Sequence, residues 1–242
     1  RSVAIGLAAA VAIVMLASAM TSDSGSVSAS ESELNDLSAK RFVSISITTV
    51  AGDNTVTNAE ASAGFTVAGV TDETGEAVTC SYGGVTDSVT ADATTGAFSC
   101  LFDDDGTGTY ADMSGVSDGT VTVFATVSGT NSGNVFATQD TTKPTMTIAS
   151  AAIDSGDTTN TAAIALTFVS SETTTDFVVT DITASGCSLS SFSGSGSSYS
   201  ATCTATGSGA VSVQVAAGAF TDSVTNGNTA SNTFAWTADL TA

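Results

Sequence analysis

Three short polar segments concentrate carboxylate and amide oxygens, the ligand atoms that calcium prefers in proteins. Their candidate ligands are Asp53, Asn58 and Glu60; Asp103, Asp104 and Asp105; and Asp222, Asn226 and Asn228. None of these segments has the spacing of the EF-hand loop, whose ligands occupy fixed positions. Asp, Asn and Gly also build ordinary solvated turns. The sequence therefore leaves two alternatives open for each segment, a solvated turn or a site for calcium, the one cofactor that it suggests.

The four cysteines fall into two local pairs, Cys80 with Cys100 and Cys187 with Cys203. Neither pair has the Cys-x-x-Cys spacing of a zinc site, and the chain has no histidine to complete one. A turn at 193–197 would place Cys187 opposite Cys203 in a hairpin. Two turn signals separate the first pair, so we expect it to link strands that are not adjacent. Two disulfides indicate an oxidising, extracellular location, and free buried thiols are the alternative.

The sequence contains no arrangement that is typical of an enzyme. Without histidine it has no Ser–His–Asp triad and lacks the commonest general base. Its carboxylates lie in turns, without the aromatic platforms that would accompany a glycosidase site. Glycine clusters such as 194–196 lie in hairpin turns with no following helix to bind phosphate. We predict a protein without catalytic residues.

Acidic residues greatly outnumber basic ones. The chain has 24 Asp and Glu against 4 Lys and Arg, a formal net charge of −20. The basic residues are Arg1, Lys40, Arg41 and Lys143. They are too few to form a patch that neutralises phosphates, which excludes ordinary nucleic-acid binding. An acidic exterior suits a soluble surface in salty water and makes divalent cations natural partners.

From residue 42 onward, apolar and polar residues alternate, as in half-buried strands. Clear examples are 43–48, 120–127, 163–168 and 211–215. The runs recur about every ten residues between Gly, Asp and Asn turns, a pattern typical of β-sandwiches. We predict a mainly β fold with one sandwich in 42–140 and a second in 141–242.

An uncharged apolar run occupies residues 3–20, behind Arg1. At about 1.5 Å per residue, an 18-residue helix spans about 27 Å, close to the hydrocarbon thickness of a membrane. The run fits a signal peptide, a permanent membrane anchor or the assembly helix of a filament. Residues 17–19 match a cleavage site. Because the sequence starts without methionine and still includes the run, we expect the run to be retained.

Residues 1–41 are predicted to form one long α-helix, apolar in its first half and amphipathic in its second. The amphipathic second half begins with acidic residues and ends with the basic pair at 40–41, an order that suits the helix dipole. Many alanines among the first twenty positions would let such helices approach closely. The residues expected to bury against neighbouring subunits are Val3, Ile5, Leu7, Val11, Ile13, Val14 and Leu16. The alternative is a transmembrane helix, a flexible linker and a short separate helix.

The second predicted sandwich resembles the bacterial-type Ig-like repeats of surface adhesins. Its opening, Asp-Thr-Thr-Lys-Pro-Thr at 140–145, is similar to the junction that starts many such repeats. Further similar segments are 177–183, 190–202 and 215–230. In the first sandwich only 50–60 is similar. The resemblance implies structural or adhesive modules without catalysis, and it implies calcium at the polar turns because related repeats often rigidify their junctions with calcium.

The first forty residues resemble the N-terminal helix of type IV filament subunits, especially archaeal flagellins and pilins. The order of apolar run, Ser-rich stretch and amphipathic segment leading into a strand carries this resemblance, although position 5 is Ile rather than the Glu of bacterial pilins. It implies the structural subunit of an extracellular surface filament, like an archaeal flagellum or type IV pilus. Its partners would be identical subunits, a membrane before assembly and the filament assembly machinery. The alternative is a single-pass, membrane-anchored Ig-like adhesin that does not polymerise.

Overall fold

The structure is a computed structural model that describes residues 43–107 and 110–241. In the first half the elements are β1 (Ile45–Val50), β2 (Thr55–Thr57), α1 (Asn58–Ala63), β3 (Phe65–Thr71), β4 (Ala77–Tyr82), β5 (Val85–Thr90), β6 (Ala97–Asp103), β7 (Ala111–Asp112), β8 (Gly119–Val127), β9 (Thr130–Asn131) and β10 (Val135–Asp140). They form one sheet with the order β1-β3-β6-β7 and a second with the order β2-β10-β8-β4-β5, to which β9 adds on β8.

The second half also forms two sheets. Its elements are β11 (Met146–Ala149), β12 (Thr158–Thr159), β13 (Ala163–Thr174), a 3₁₀ turn (Val179–Asp181), β14 (Ile182–Ser185), β15 (Cys187–Ala205), β16 (Gly209–Val215) and β17 (Phe234–Ala238). The sheet orders are β11-β13-β15 and β12-β17-β16-β14. Each half therefore has the two-sheet arrangement of a β-sandwich.

The alternating sequence pattern produces the burial seen in the strands. In β13, Ile164, Leu166 and Phe168 are buried, while the residues between them face solvent. Because successive side chains of a strand point to opposite faces, this strand contributes one apolar face to the second core. Each half has its own core cluster, one between Ile45 and Ala137 and the other between Met146 and Ala238.

An aromatic cluster occupies the centre of the first core. The rings of Phe65 and Phe102 lie 5.0 and 5.8 Å from the ring of Tyr82. The Tyr82 hydroxyl donates to Oε1 of the buried Gln139 at 3.1 Å, and Nε2 of Gln139 donates to the Val116 carbonyl at 2.8 Å. The polar ends of both buried side chains are thereby satisfied. Burial raises the pKa of Tyr82 well above its ordinary value, so it stays a neutral donor.

Each half contains one disulfide. Cys80 on β4 is bonded to Cys100 on β6, which joins the two sheets of the first sandwich, as expected for strands that are not adjacent. Cys187 is bonded to Cys203 at the two ends of the long strand β15. Within β15 the Phe192 and Tyr199 rings stack at 5.8 Å, so the strand folds back on itself as a hairpin. The predicted disulfides are therefore both present.

The predicted fold class, a long N-terminal helix followed by two sandwiches, is wrong for the structure described here. The described residues are mainly β, and their one α-helix is the six-residue α1. It begins at a Thr57–Glu60 capping box and ends where Gly64 adopts a φ of +85°. The apolar periodicity assigned to the helix lies in 1–41, outside the described residues, as do the assembly residues Val3, Ile5, Leu7, Val11, Ile13, Val14 and Leu16.

No helix in the described ranges is long and apolar enough to span a membrane.

We expect the two disulfides to stabilise different halves. Replacing Cys187 and Cys203 by Ala should lower the free energy of unfolding of the second sandwich by about 3 kcal/mol, because it opens a loop of 16 residues. The sole tryptophan, Trp236, lies in the second core and reports its unfolding by fluorescence. The matched control replaces Cys80 and Cys100 by Ala. In this variant the urea unfolding transition that Trp236 fluorescence reports should stay nearly unchanged. Equal shifts of that transition in both variants would contradict separate cores.

Candidate functional site

The segment between the two sandwiches is held by residues of both. β10 ends at Asp140 and β11 begins at Met146. From the first half, Asp118 accepts hydrogen bonds from the Thr141 amide and hydroxyl, both at 2.9 Å, and from the Thr142 hydroxyl at 2.7 Å. From the second half, the Thr229 amide donates to the Pro144 carbonyl at 2.9 Å. Residues of both sandwiches therefore hold the junction by hydrogen bonds.

The side chain of Asn226 connects the first sandwich, the junction and the second sandwich. It is buried, and its Nδ2 donates to the carbonyls of Asp140 at 2.8 Å and Thr142 at 3.2 Å. Its Oδ1 accepts from the Asn58 amide at 2.7 Å. Asn58 opens α1, and the first amides of a helix have no acceptor within the helix. Asn226 thus provides the acceptor that the start of α1 lacks.

Three carboxylates meet beside Asn226. Asp140 at the end of β10, Glu172 on β13 and Asp222 in the loop after β16 each place one oxygen within 4.8 Å of the others. Asp222 is buried, and its Oδ1 accepts from the amides of Val224 and Asn226, both at 2.9 Å. These bonds fix the position of the Asp222 carboxylate, around which the other two are arranged.

Burial and mutual repulsion disfavour the charged forms of this cluster. Burial raises the pKa of Asp140, and the charge of Asp222 raises it further. Burial likewise raises the pKa of Glu172, with added repulsion from Asp140 and Asp222. Lys143 is the one basic residue that falls within the described ranges. Hard, charged oxygens without nitrogen or sulfur ligands match the donor set that calcium takes, so the three carboxylates fit this ion.

Two of the three polar segments predicted from the sequence meet at this junction. Asp222 belongs to the carboxylate cluster, and Asn226 contacts Asn58 as described. Asn228 stabilises the loop instead, since its Oδ1 accepts from the Phe220 amide at 3.0 Å and its Nδ2 donates to two carbonyls. Asp53 and Glu60 line a cleft opposite Thr225, and their carboxylates accept from the amides of residues 55 and 57.

The sequence analysis missed Asp140 and Glu172 as candidate ligands. Asp140 is the first residue of the junction motif, which marked it as a boundary rather than a ligand. Glu172 is the one acidic residue of β13, and no cluster of acidic residues around it in the chain marks it as a ligand. The remaining predicted segment, Asp103, Asp104 and Asp105, starts at the end of β6 in the first sandwich and takes no part in this cluster.

The family comparison identifies a known domain in the second half of the chain. Residues 140–239 match the family model of the bacterial Ig-like domain. No curated protein matches the chain. This match supports the expected Ig-like repeat in the second half, and none of the comparisons indicates a type IV filament subunit.

Similar solved structures cover most of the chain at low identity. A 1.5-MDa bacterial ice-binding adhesin is 19% identical with a TM-score of 0.42, and the match covers 81% of this chain and 64% of that one. Invasin, a bacterial integrin-binding protein, is 16% identical with a TM-score of 0.33 over 82% and 40%. InvD of Yersinia pseudotuberculosis is 13% identical with a TM-score of 0.34 over 81% and 57%. The chain thus spans only about half the length of these structures.

We expect Asn226→Ala to loosen the junction. The substitution removes the acceptor of the Asn58 amide and a donor to the carbonyls of Asp140 and Thr142, which should cost about 1–3 kcal/mol for each group left buried without another partner. NMR relaxation should then show the two sandwiches tumbling more independently. The control is Asn232→Ala, because the side chain of Asn232 bonds the amide and carbonyl of Ile148, inside the second sandwich. Equal changes in tumbling for both variants would contradict a role of Asn226 at the junction.

Acid should weaken the hold of Asp118 on the junction. Burial alone would raise the pKa of Asp118, but hydrogen bonds from Thr142 and Thr141 outweigh it and hold the pKa below its ordinary range. A lowered pKa in the folded state adds stability above the unfolded-state value, and this stability is lost as the pH falls through the folded-state value. In urea unfolding between pH 7 and the acid range, Asp118→Asn should therefore lose less stability than the parent chain. Parallel pH profiles would contradict this role.

Proposed function

We propose that this chain is a non-catalytic part of an extracellular surface protein, in which the two sandwiches form a stiff structural or adhesive module. The observation that carries the proposal is the junction itself. A flexible linker would leave residues 140–145 to water, whereas here Asp118 and Asn226 bind its backbone and hydroxyls from either side. A junction bound in this way fixes the relative orientation of neighbouring domains, as a spacer or adhesin needs.

Three further features support a location outside the cell. The second half matches the bacterial Ig-like domain, a structural class of module. Both cysteine pairs form disulfides, which persist in oxidising compartments. The net charge of −20 provides a strongly hydrated surface in an ionic environment. These features are the reason for placing the protein at the cell surface.

Calcium is the ion that we propose for the junction. Asp140, Glu172 and Asp222 would bind it, and when bound it would supply the positive charge that this cluster lacks. The three residues come from the end of β10, from β13 and from the loop after β16. An ion shared among them would join the first sandwich to two elements of the second. It would therefore stiffen the junction that Asn226 already connects.

Between the two functions considered from the sequence, these findings favour the surface adhesin over the polymerising filament subunit. The Ig-like match and the bound junction are both expected of a surface protein that displays domains, and neither requires a polymer. Homopolymerisation, membrane contact and assembly machinery stay predictions. Surface labelling of intact cells with an antibody to the second sandwich tests the proposal. Labelling without permeabilisation supports it, whereas labelling only after lysis would contradict it.

The calcium component has its own test. We expect calcium to raise the melting temperature of chelator-treated chain, and Glu172→Gln to weaken binding at the junction by about tenfold or more because one of three charged ligands is lost. Calorimetry measures both effects. The matched control is Glu76→Gln, the same change at an exposed glutamate outside the cluster. Identical calcium affinity in all three chains would exclude the junction as the binding site.

A further inference from the structure

Asn226, which holds the junction, belongs to the one Asn-Gly pair in the chain, Asn226–Gly227. Such a pair is prone to deamidation in water, because the glycine nitrogen can reach the asparagine side chain without a Cβ in its way. The fold itself does not require glycine at this position. The φ of Gly227 lies outside the left-handed region, and a Cβ there would lie 3.5 Å from Gly218 Cα, an ordinary van der Waals distance. The reactive pair thus occupies a place where the fold would accept a less reactive one.

Both polar atoms of the Asn226 side chain make hydrogen bonds at the junction. Its Nδ2 donates to the carbonyls of Asp140 and Thr142 and to Oδ2 of Asp222, the last at 2.9 Å. Its Oδ1 accepts from the Asn58 amide. Asn226 is only 3% exposed, so water does not compete with these partners while the junction is closed. The whole arrangement depends on an intact side-chain amide.

Deamidation would remove this amide. The Gly227 nitrogen attacks Cγ of Asn226, a C–N bond forms, and Nδ2 leaves as ammonia with the proton of the Gly227 amide. Water then opens the resulting five-membered succinimide ring at one of its two C–N bonds. The product is a carboxylate at position 226, in an ordinary or an isoaspartyl backbone. The bonds of the bridge between residues 221 and 227 are made by their neighbours, so the Gly227 amide takes no part in them.

We propose that Asn226–Gly227 is a deamidation site, protected while the junction is closed and converted when the junction opens. The succinimide ring ties Cγ to the Gly227 nitrogen and contains no Nδ2, so it cannot form while Nδ2 keeps its three acceptors. Opening of the junction releases the side chain and admits water. The rate of conversion then follows the fraction of time that the junction is open. This inference uses the junction geometry and is independent of the proposed location and of calcium.

The converted chain cannot close the junction in the same way. A carboxylate at position 226 has no donor for the carbonyls of Asp140 and Thr142, and it faces the carboxylate of Asp222. It would be a fourth negative charge in the carboxylate cluster at the junction. The isoaspartyl form also lengthens the backbone of a loop in which Thr225 is held at a φ of +73°, a conformation that β-branched residues rarely adopt. Deamidation therefore turns a reversible opening into a permanent one.

The rate of deamidation at Asn226 in the full chain, followed by peptide mass spectrometry at mildly alkaline pH, tests the protection. The folded chain should react at least about tenfold more slowly than the same chain in urea, since the loss of one buried hydrogen bond is enough for this factor. This comparison needs no variant. Equal rates in the folded and the unfolded chain would overturn the proposal.

A matched pair of variants separates opening of the junction from loosening elsewhere. Asp118→Ala removes three hydrogen bonds to Thr141 and Thr142, and it should speed deamidation of the folded chain about threefold or more, the factor that one net hydrogen bond supplies. Asp92→Ala also removes three hydrogen bonds, but within the first sandwich, and should leave the rate unchanged. Circular dichroism confirms that both chains are folded. Equal rates in the two variants would contradict control by the junction.

Refolding tests whether the change is permanent. The parent chain and Gly227→Ala are incubated in urea at the same pH and then refolded by dilution. The parent should return deamidated at Asn226, with two sandwiches that tumble more independently in NMR relaxation. Gly227→Ala should return with its amide and its original tumbling, because the added Cβ hinders attack on Asn226. Unchanged tumbling of a fully deamidated parent would overturn the proposal.

Discussion

The relation between the two sandwiches depends on one buried amide, that of Asn226. It accepts from the start of α1 and donates to the carbonyls of the junction, so a single side chain contacts both halves and the segment between them. Hydrogen bonds are directional, whereas apolar contacts allow surfaces to slide over one another. An interface of this kind specifies an orientation more than it adds affinity. That property suits domains which are already joined by the chain and need only a defined angle.

Charge is the second constraint on this molecule. With 24 acidic residues against 4 basic ones, the chain cannot neutralise its carboxylates internally. Others avoid this cost at the surface, where Asp92, Asp118 and Asp176 accept hydrogen bonds from nearby amides and hydroxyls. Asp103 and the junction cluster are different, because burial removes them from water and adjacent carboxylates repel them. A proton or a bound cation would relieve this repulsion at both places.

Local patterns in the sequence predicted local features well. Alternating residues predicted strands such as β13, and the turn at 193–197 predicted the hairpin that pairs Cys187 with Cys203. Features that depend on topology were out of reach. Glu172 and Asp140 are 32 residues apart and lie in different sandwiches, so only the packing of the two halves reveals them as neighbours. The described residues are mainly β with one six-residue helix, so the predicted fold with a long helix is wrong for them, and the apolar run at 3–20 that suggested the helix lies outside them.

The disulfides explain why the junction is the place where a cation would have most effect. Cys80 and Cys100 join the two sheets of the first sandwich, and Cys187 and Cys203 close the hairpin of the second. Each sandwich is thus constrained covalently inside its own core, and no covalent cross-link other than the chain itself passes between them in the described residues. The relative orientation of the two sandwiches therefore depends on the noncovalent contacts of the junction. A ligand bound there, as proposed, would act on the angle between the two sandwiches, so a small local change would become a large change in the reach of the whole module.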